Sequence, residues 1–114
     1  MSKYGNKKIV IDGYKFDSLH EAERYCELKL MVRGKVITDL KLQERFILLP
    51  TQYEDADGNG RVIERAVTYI ADFVYTDLRT GEKVVEDAKG CKTKEYILKR
   101  KMMYYFHDIR IREV

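Results

Sequence analysis

Apolar and polar residues alternate along residues 7–16, KKIVIDGYKF, on either side of Asp12-Gly13. A period of two is that of a half-buried strand, and Asp-Gly favours a tight turn, so the pattern predicts a short N-terminal hairpin. The period then changes. From Ser18 to Val32 apolar residues form two rows, Leu19, Ala22, Cys26, Leu30 and Tyr25, Leu28, Val32, three and four apart. That spacing predicts a helix with one buried face, closed by Gly34. Val36 to Pro50 contains a strand at Arg45 to Leu49, and Asp57-Gly58-Asn59-Gly60 marks a hairpin tip. Val62 to Tyr75 and Lys83 to Ala88 are rich in β-branched and aromatic residues and flank an Arg79-Thr80-Gly81 turn, which predicts antiparallel neighbours. Thr93 can cap a helix from about Lys94 to Phe106, with Leu98, Met102 and Tyr105 inward and Lys99, Arg100 and Lys101 outward. Tyr104, Tyr105 and Phe106 read as core rather than as a stacking platform, and Ile109 to Val114 reads as a closing strand.

Apart from the hairpin, the expected order is helix, three strands, helix, strand: an α/β protein with a mixed sheet. At 114 residues, with one Pro and no repeat or linker, the chain fits one domain over 1–114. No apolar run nears the ~20 residues that span a bilayer, and residues 1–8 lack the apolar stretch of a signal peptide. A cytoplasmic protein with no membrane partner is expected. Cys26 and Cys91 are isolated, which suggests neither zinc nor a disulfide framework. The net charge of +3 is only mildly basic, but its distribution is uneven: Lys and Arg gather between Lys89 and Arg112, acids between Glu54 and Glu64.

The chemistry-bearing pattern is VVEDAKG at 84–90. Asp87 and Lys89, two apart on a strand, leave the same face, whereas Glu86 leaves the other. Asp72 interrupts the apolar run Tyr69-Ile70-Ala71-Asp72-Phe73-Val74, and if the two strands pair, Asp72 and Asp87 converge. Two carboxylates, the Ala88 carbonyl and waters would suit Mg²⁺ or Mn²⁺. Such a metal with a neighbouring cation is what phosphodiester hydrolysis requires. On the residues alone, the same three side chains also describe a partly buried ion pair with one extra acid, and D-x-K is a common pattern.

Ala71-Asp72 followed by Asp87-Ala88-Lys89 resembles the split D…(D/E)-x-K signature of the PD-(D/E)XK nuclease superfamily. FDSLHEAERYCELKL, LQERF, RAVTYIADFVY and VVEDAKGCKTKEYILKRKMM are similar to a family of small phage-encoded proteins of unknown function assigned to it, over nearly the whole chain. The resemblance implies a restriction-endonuclease-like core, with the motif acids on the second and third strands. It also implies a Mg²⁺- or Mn²⁺-dependent endonuclease centred on Asp72, Asp87 and Lys89. Ala71 stands where Pro is usual, and Asp87 where Glu is commoner. Members such as Holliday-junction resolvases and transposon-end nucleases carry a metal-associated Glu on the first helix, which would be Glu21. Ser18-Leu19-His20-Glu21 is equally a capping box, so Glu21 stands between metal ligand and helix cap.

Lys92, Lys94, Lys99 and Lys101 are candidate phosphate contacts, and Tyr96 a sugar or base contact; the alternative is a solvated helix face. Gln43, in LQERF, could orient water or phosphate by resemblance, or be a buried-loop hydrogen bonder. His20 and His107 lack the neighbours of other nuclease centres. The expected partner is DNA, branched or otherwise structured, with the Holliday junction preferred and a symmetric homodimer as one means of paired cutting. The competing class is a non-catalytic DNA-binding protein or accessory subunit of a phage recombination or replication complex.

Overall fold

Asp12 and Gly13 take φ of 53° and 83°, the double left-handed turn that matches the twist of a two-residue hairpin. It joins β1 (Ile9–Ile11) to β2 (Tyr14–Phe16) antiparallel, in a computed structural model that describes residues 8–55, 57–88 and 91–114. Ser18 then caps α1 (Leu19–Arg33), its Oγ accepting from the Glu21 N–H at 3.1 Å. The helix buries Glu21, Ala22, Tyr25 and Leu28. Of the row Leu19, Ala22, Cys26, Leu30, Ala22 alone is buried, with Leu19 62% and Leu30 64% exposed and Cys26 also exposed. These three sit roughly 40–80° around the helix from Ala22, at 100° per residue, and the sheet contact is narrower than that.

Strand β3 (Ile37–Leu49) is far longer than the five residues expected. β4 (Gln52–Tyr53) and β5 (Val62–Glu64) form a separate small ladder around the 57–60 turn. The 62–75 run is therefore two strands, β5 and the central β6 (Val67–Asp77). β7 (Lys83–Asp87) follows the Arg79–Gly81 turn and pairs antiparallel with β6. α2 (Lys94–His107), capped by Thr93, crosses over to β8 (Arg112–Glu113), which pairs parallel with β7 because a helix separates them. The main sheet runs β3-β6-β7-β8. The protein is thus a mixed α/β fold with a mixed sheet and two helices, and the closing strand is shorter than expected.

β6 serves two cores, which is why its sequence is nearly continuously apolar. Phe73 and Tyr75 join Phe16, Ala22, Tyr25 and Leu28 beneath α1. Tyr69, Ala71 and Val74 join Phe46, Leu48, Val85 and Met103 beneath α2. Met103 is the buried residue of α2, while Leu98 is 58% and Tyr105 82% exposed. Tyr104 and Phe106 are exposed as well. The inward face is that of Tyr96 and Met103, so the expectation that Leu98 and Tyr105 face inward fails. So does the core reading of residues 104–106: Tyr105 lies ~160° around the helix from Met103. Among the described residues, no helix is long and apolar enough to cross a membrane.

Leu28 is fully buried and Leu30 is not. Leu28→Ala is expected to cost ~2–5 kcal/mol by urea unfolding. Leu30→Ala should stay within ~0.5 kcal/mol; equal costs would contradict the packed face of α1.

Candidate functional site

The β3–β6 ladder shifts register between Thr38 and Lys41 and again between Ile47 and Leu49, and between these shifts one position drops out of the pairing. Leu42 pairs with Phe73 and Glu44 with Ala71, which leaves Gln43 opposite Asp72. Gln43 takes a left-handed φ of 56°, uncommon for a residue with a side chain. Up to it Leu40 and Leu42 pack toward α1; beyond it Phe46 and Leu48 pack toward α2. The two strands turn over together there. Gln43 is exposed and lies within β3, so it is neither buried nor in a loop.

On the other side of β6, Phe73 pairs with Glu86, and the next register position sets Asp72 opposite Asp87. Both are buried, and their carboxylates are held by different donors. Asp72 Oδ2 accepts from the Ala88 backbone N–H at 2.7 Å, and Asp87 Oδ2 accepts from the Tyr69 hydroxyl at 2.8 Å. Burial first and the Asp87 bond second push the Tyr69 phenol far up, which keeps it a donor at neutral pH. Glu21 is buried in the first turn of α1, where its N–H completes one half of the capping box. Lys89 lies outside the described residues.

Hard carboxylate oxygens on adjacent strands, with the Ala88 peptide between them, have the donor chemistry of an Mg²⁺ or Mn²⁺ site. Among the described residues, no three or more His, Cys, Asp or Glu side chains gather into a metal-holding group, so Glu21 does not join Asp72 and Asp87 in one. A cation here would use two carboxylates, the Ala88 carbonyl and water, which is a usual complement for Mg²⁺.

Glu86 has a role that sequence reasoning missed. Its fully buried carboxylate accepts from Arg24 Nε at 2.9 Å and from Arg24 Nη2 at 2.6 Å, a two-pronged pair between β7 and α1. The Tyr75 hydroxyl also donates to it, and Arg112 donates to that hydroxyl at 3.1 Å. The Glu86 bonds hold the Arg24 guanidinium above its ordinary range, while burial and then Glu86 push the Tyr75 phenol up to about 12. A signal was present: a Glu inside a β-branched strand whose two faces both meet a helix needs a cation. Val114 adds a backbone clasp, donating to the Asp87 carbonyl at 3.0 Å while its own carbonyl lies 2.9 Å from His20 Nε2.

The basic candidates do not form one free face. Glu113 takes Arg100 at 2.8 Å, the Tyr96 hydroxyl at 2.8 Å and Lys92 at 3.0 Å. Lys99 pairs with Glu95 one turn away, whereas Lys94 and Lys101 are exposed. Such surface pairs are weak, ~0.3–0.5 kcal/mol for the helical kind, so a phosphate can compete for Lys99. A cleft of about 380 Å³ opens beside Asp87, between the start of β6 and the first turns of α2, walled by Tyr69, Ile70, Thr93, Tyr96 and Lys99. Lys101 borders a different groove with Arg100 and Arg110.

Fold and site together define a mixed α/β protein whose central strands carry two buried acids side by side. The chain belongs to the DUF1064 family, described as a protein of unknown function, whose family model matches residues 1–114. No curated protein and no solved structure matches it.

Two outcomes follow from the ion pairs. Arg24→Leu strands a buried carboxylate and is expected to cost ~3–5 kcal/mol in urea unfolding, with Arg24→Lys intermediate because the fork is lost and the charge kept. An unchanged midpoint would mean that Glu86 is not held by Arg24. Arg100 first, then Tyr96 and Lys92, hold the Glu113 carboxyl down from 4.5 to about 2. A depressed acid stabilises the fold above its unfolded value and loses that contribution as pH falls through the folded one. Acid titration of the urea midpoint should therefore show a decline between about pH 4.5 and 2 that is shallower in Glu113→Gln; parallel profiles would count against the cluster.

Proposed function

We propose that this chain is a Mg²⁺- or Mn²⁺-dependent endodeoxyribonuclease with a restriction-endonuclease-like core of the PD-(D/E)XK type. Its substrate is branched DNA of the Holliday-junction kind in phage or mobile-element recombination or replication. The observation that carries the reading is the register that continues from Phe73–Glu86 to set Asp72 opposite Asp87, both buried. A carboxylate pair in a sheet interior is costly to maintain for stability alone. The element order of helix, three antiparallel strands, helix and parallel strand is the order expected of that core.

In this reading Asp72, Asp87 and the Ala88 carbonyl hold the cation, and Glu21 stays outside that set, in the first turn of α1. When bound, the cation polarises the phosphate and lowers the pKa of water. Asp72 is oriented by the Ala88 N–H and Asp87 by Tyr69, so both acids meet a ligand without first reorganising. Lys89, two residues beyond Asp87, supplies a cation for the nucleophile and the developing charge. Gln43, exposed opposite Asp72, is available to water or a phosphate oxygen. Lys92, Lys94, Lys99 and Lys101 supply phosphate contacts, Lys92 and Lys99 by exchanging carboxylate partners for phosphate, and Tyr96 supplies a sugar or base contact.

One observation favours a second reading, a non-catalytic DNA-binding or accessory protein: Asp72 and Asp87 each already spend an oxygen on an internal bond, as purely structural acids would. Incubation with four-way junction, flap, hairpin and linear duplex DNA in Mg²⁺, Mn²⁺ or EDTA separates the two. Cleavage should require metal, disappear in Asp72→Asn, which keeps an acceptor for the Ala88 N–H, and fall by ~10²–10³ in Lys89→Ala. Lys89→Ala cleaving like the parent would sink the mechanism. Metal-independent, salt-sensitive binding without cleavage would establish the second reading.

A further inference from the structure

The cleft beside Asp87 has the dimensions of a nucleotide site rather than a duplex groove. At about 380 Å³ it lies near the lower end of small-ligand pockets, ~300–1,000 Å³. A single nucleotide can enter a recess of that size. Its lining is of three kinds. The rings of Tyr69 and Tyr96, 6.4 Å apart, stand with Ile70, which is 40% exposed although it belongs to the central strand. The hydroxyls of Thr68 and Thr93 and the ammonium of Lys99 add the polar part, with Glu95, the exposed partner of Lys99, on the same wall. An unstacked nucleotide asks for this combination: aromatic and apolar surface for the base, hydroxyls for the sugar or base edge, and a cation for the phosphate. Asp87 forms part of the same wall, so a nucleotide seated there brings its phosphate beside that acid.

We propose that this cleft takes a single unpaired deoxynucleotide flanking the scissile phosphate. The substrate is then branched DNA that offers an unpaired nucleotide at the branch, as a flap, a frayed arm or an opened crossover does, in preference to fully paired linear duplex. Only the word scissile rests on the nuclease reading; the binding does not.

The chain carries its own reporter. Cys91 is exposed and lines the cleft, while Cys26 is exposed on α1, away from it, and serves as the internal control. Maleimide alkylation of both thiols is followed by mass spectrometry in EDTA, with a single-stranded oligothymidine, a flap or a blunt duplex present. With single strand or flap about tenfold above its Kd, Cys91 should react ~10-fold more slowly while Cys26 is unchanged, and the duplex should protect neither. Ile70→Trp, which fills the cleft from an already exposed position, should abolish the protection without lowering the melting temperature. Protection equal with duplex, no protection at saturating single strand, or protection surviving Ile70→Trp would each overturn the proposal. Because no metal is present, protection stands even if the protein never cleaves DNA. Cleavage of intact duplex with Cys91 unprotected would instead overturn this inference and leave the nuclease reading in place.

Discussion

The buried pair between Arg24 of α1 and Glu86 of β7 is the constraint from which the rest of the arrangement follows. A fully buried carboxylate has no tolerable alternative to its partner, so β7 cannot slip by one residue without expelling Glu86 or unpairing Arg24. That fixes the parity of the strand. With Glu86 committed to the α1 side, Asp87 must project toward Tyr69 and the α2 core, where the Tyr69 hydroxyl meets it. The same pair fixes α1 along the sheet, and Glu21 sits one turn before Arg24 on that helix. An ion pair on one face of a strand thus sets the register of the candidate chemistry on the other. The Val114 clasp repeats the constraint in backbone form, tying the end of β7 to His20 beside Glu21.

Position in the ladder explains why acids can persist in the centre of this sheet. Asp72 stands where the β6–β7 pairing stops and opposite the left-handed Gln43 of β3, so regular pairing is absent on both its sides. Its carboxylate takes the Ala88 N–H that a continuing ladder would have given to backbone. The irregularity therefore makes room for the acid and supplies its donor. Backbone held in a sparsely populated φ region beside a buried charge is the kind of local conflict that stability alone does not favour. That is a reason to seek function at this point rather than elsewhere in the sheet.

Legibility in the sequence followed the range of the physics involved. Asp12-Gly13, Ser18, Thr93 and Gly81 act locally, and the turns and helix starts they mark are where the pattern put them. The length of β3 was not legible because Asp39 and Gln43, both left-handed, bend a strand whose two halves serve different cores. The inward face of α2 was misread for a related reason: its one deeply buried residue is Met103, and the larger apolar side chains at Leu98 and Tyr105 face out. Within the candidate site, strand parity was enough to separate Asp87 from Glu86. It could not reveal Arg24 as the partner of Glu86, or Tyr69 as that of Asp87, because the partners lie 62 and 18 residues away.

The basic character of the C-terminal third, conspicuous in the sequence, is largely spent inside the molecule. Glu113 alone gathers Lys92, Arg100 and the Tyr96 hydroxyl, and in doing so ties α2 to the short strand β8. Without that carboxylate, the two-residue parallel strand would keep its backbone bonds and the contacts of Arg112 with Tyr75 and Glu86, but would lose its tie to α2. The same cluster braces the sheet edge, and on the proposed function it would exchange carboxylate for phosphate. Lys99 differs in standing at the cleft wall with Asp87, paired with an exposed Glu95. On the proposed function, a cation so weakly held beside the cleft and Asp87 would draw a phosphate toward that acid more effectively than the braced cations around Glu113.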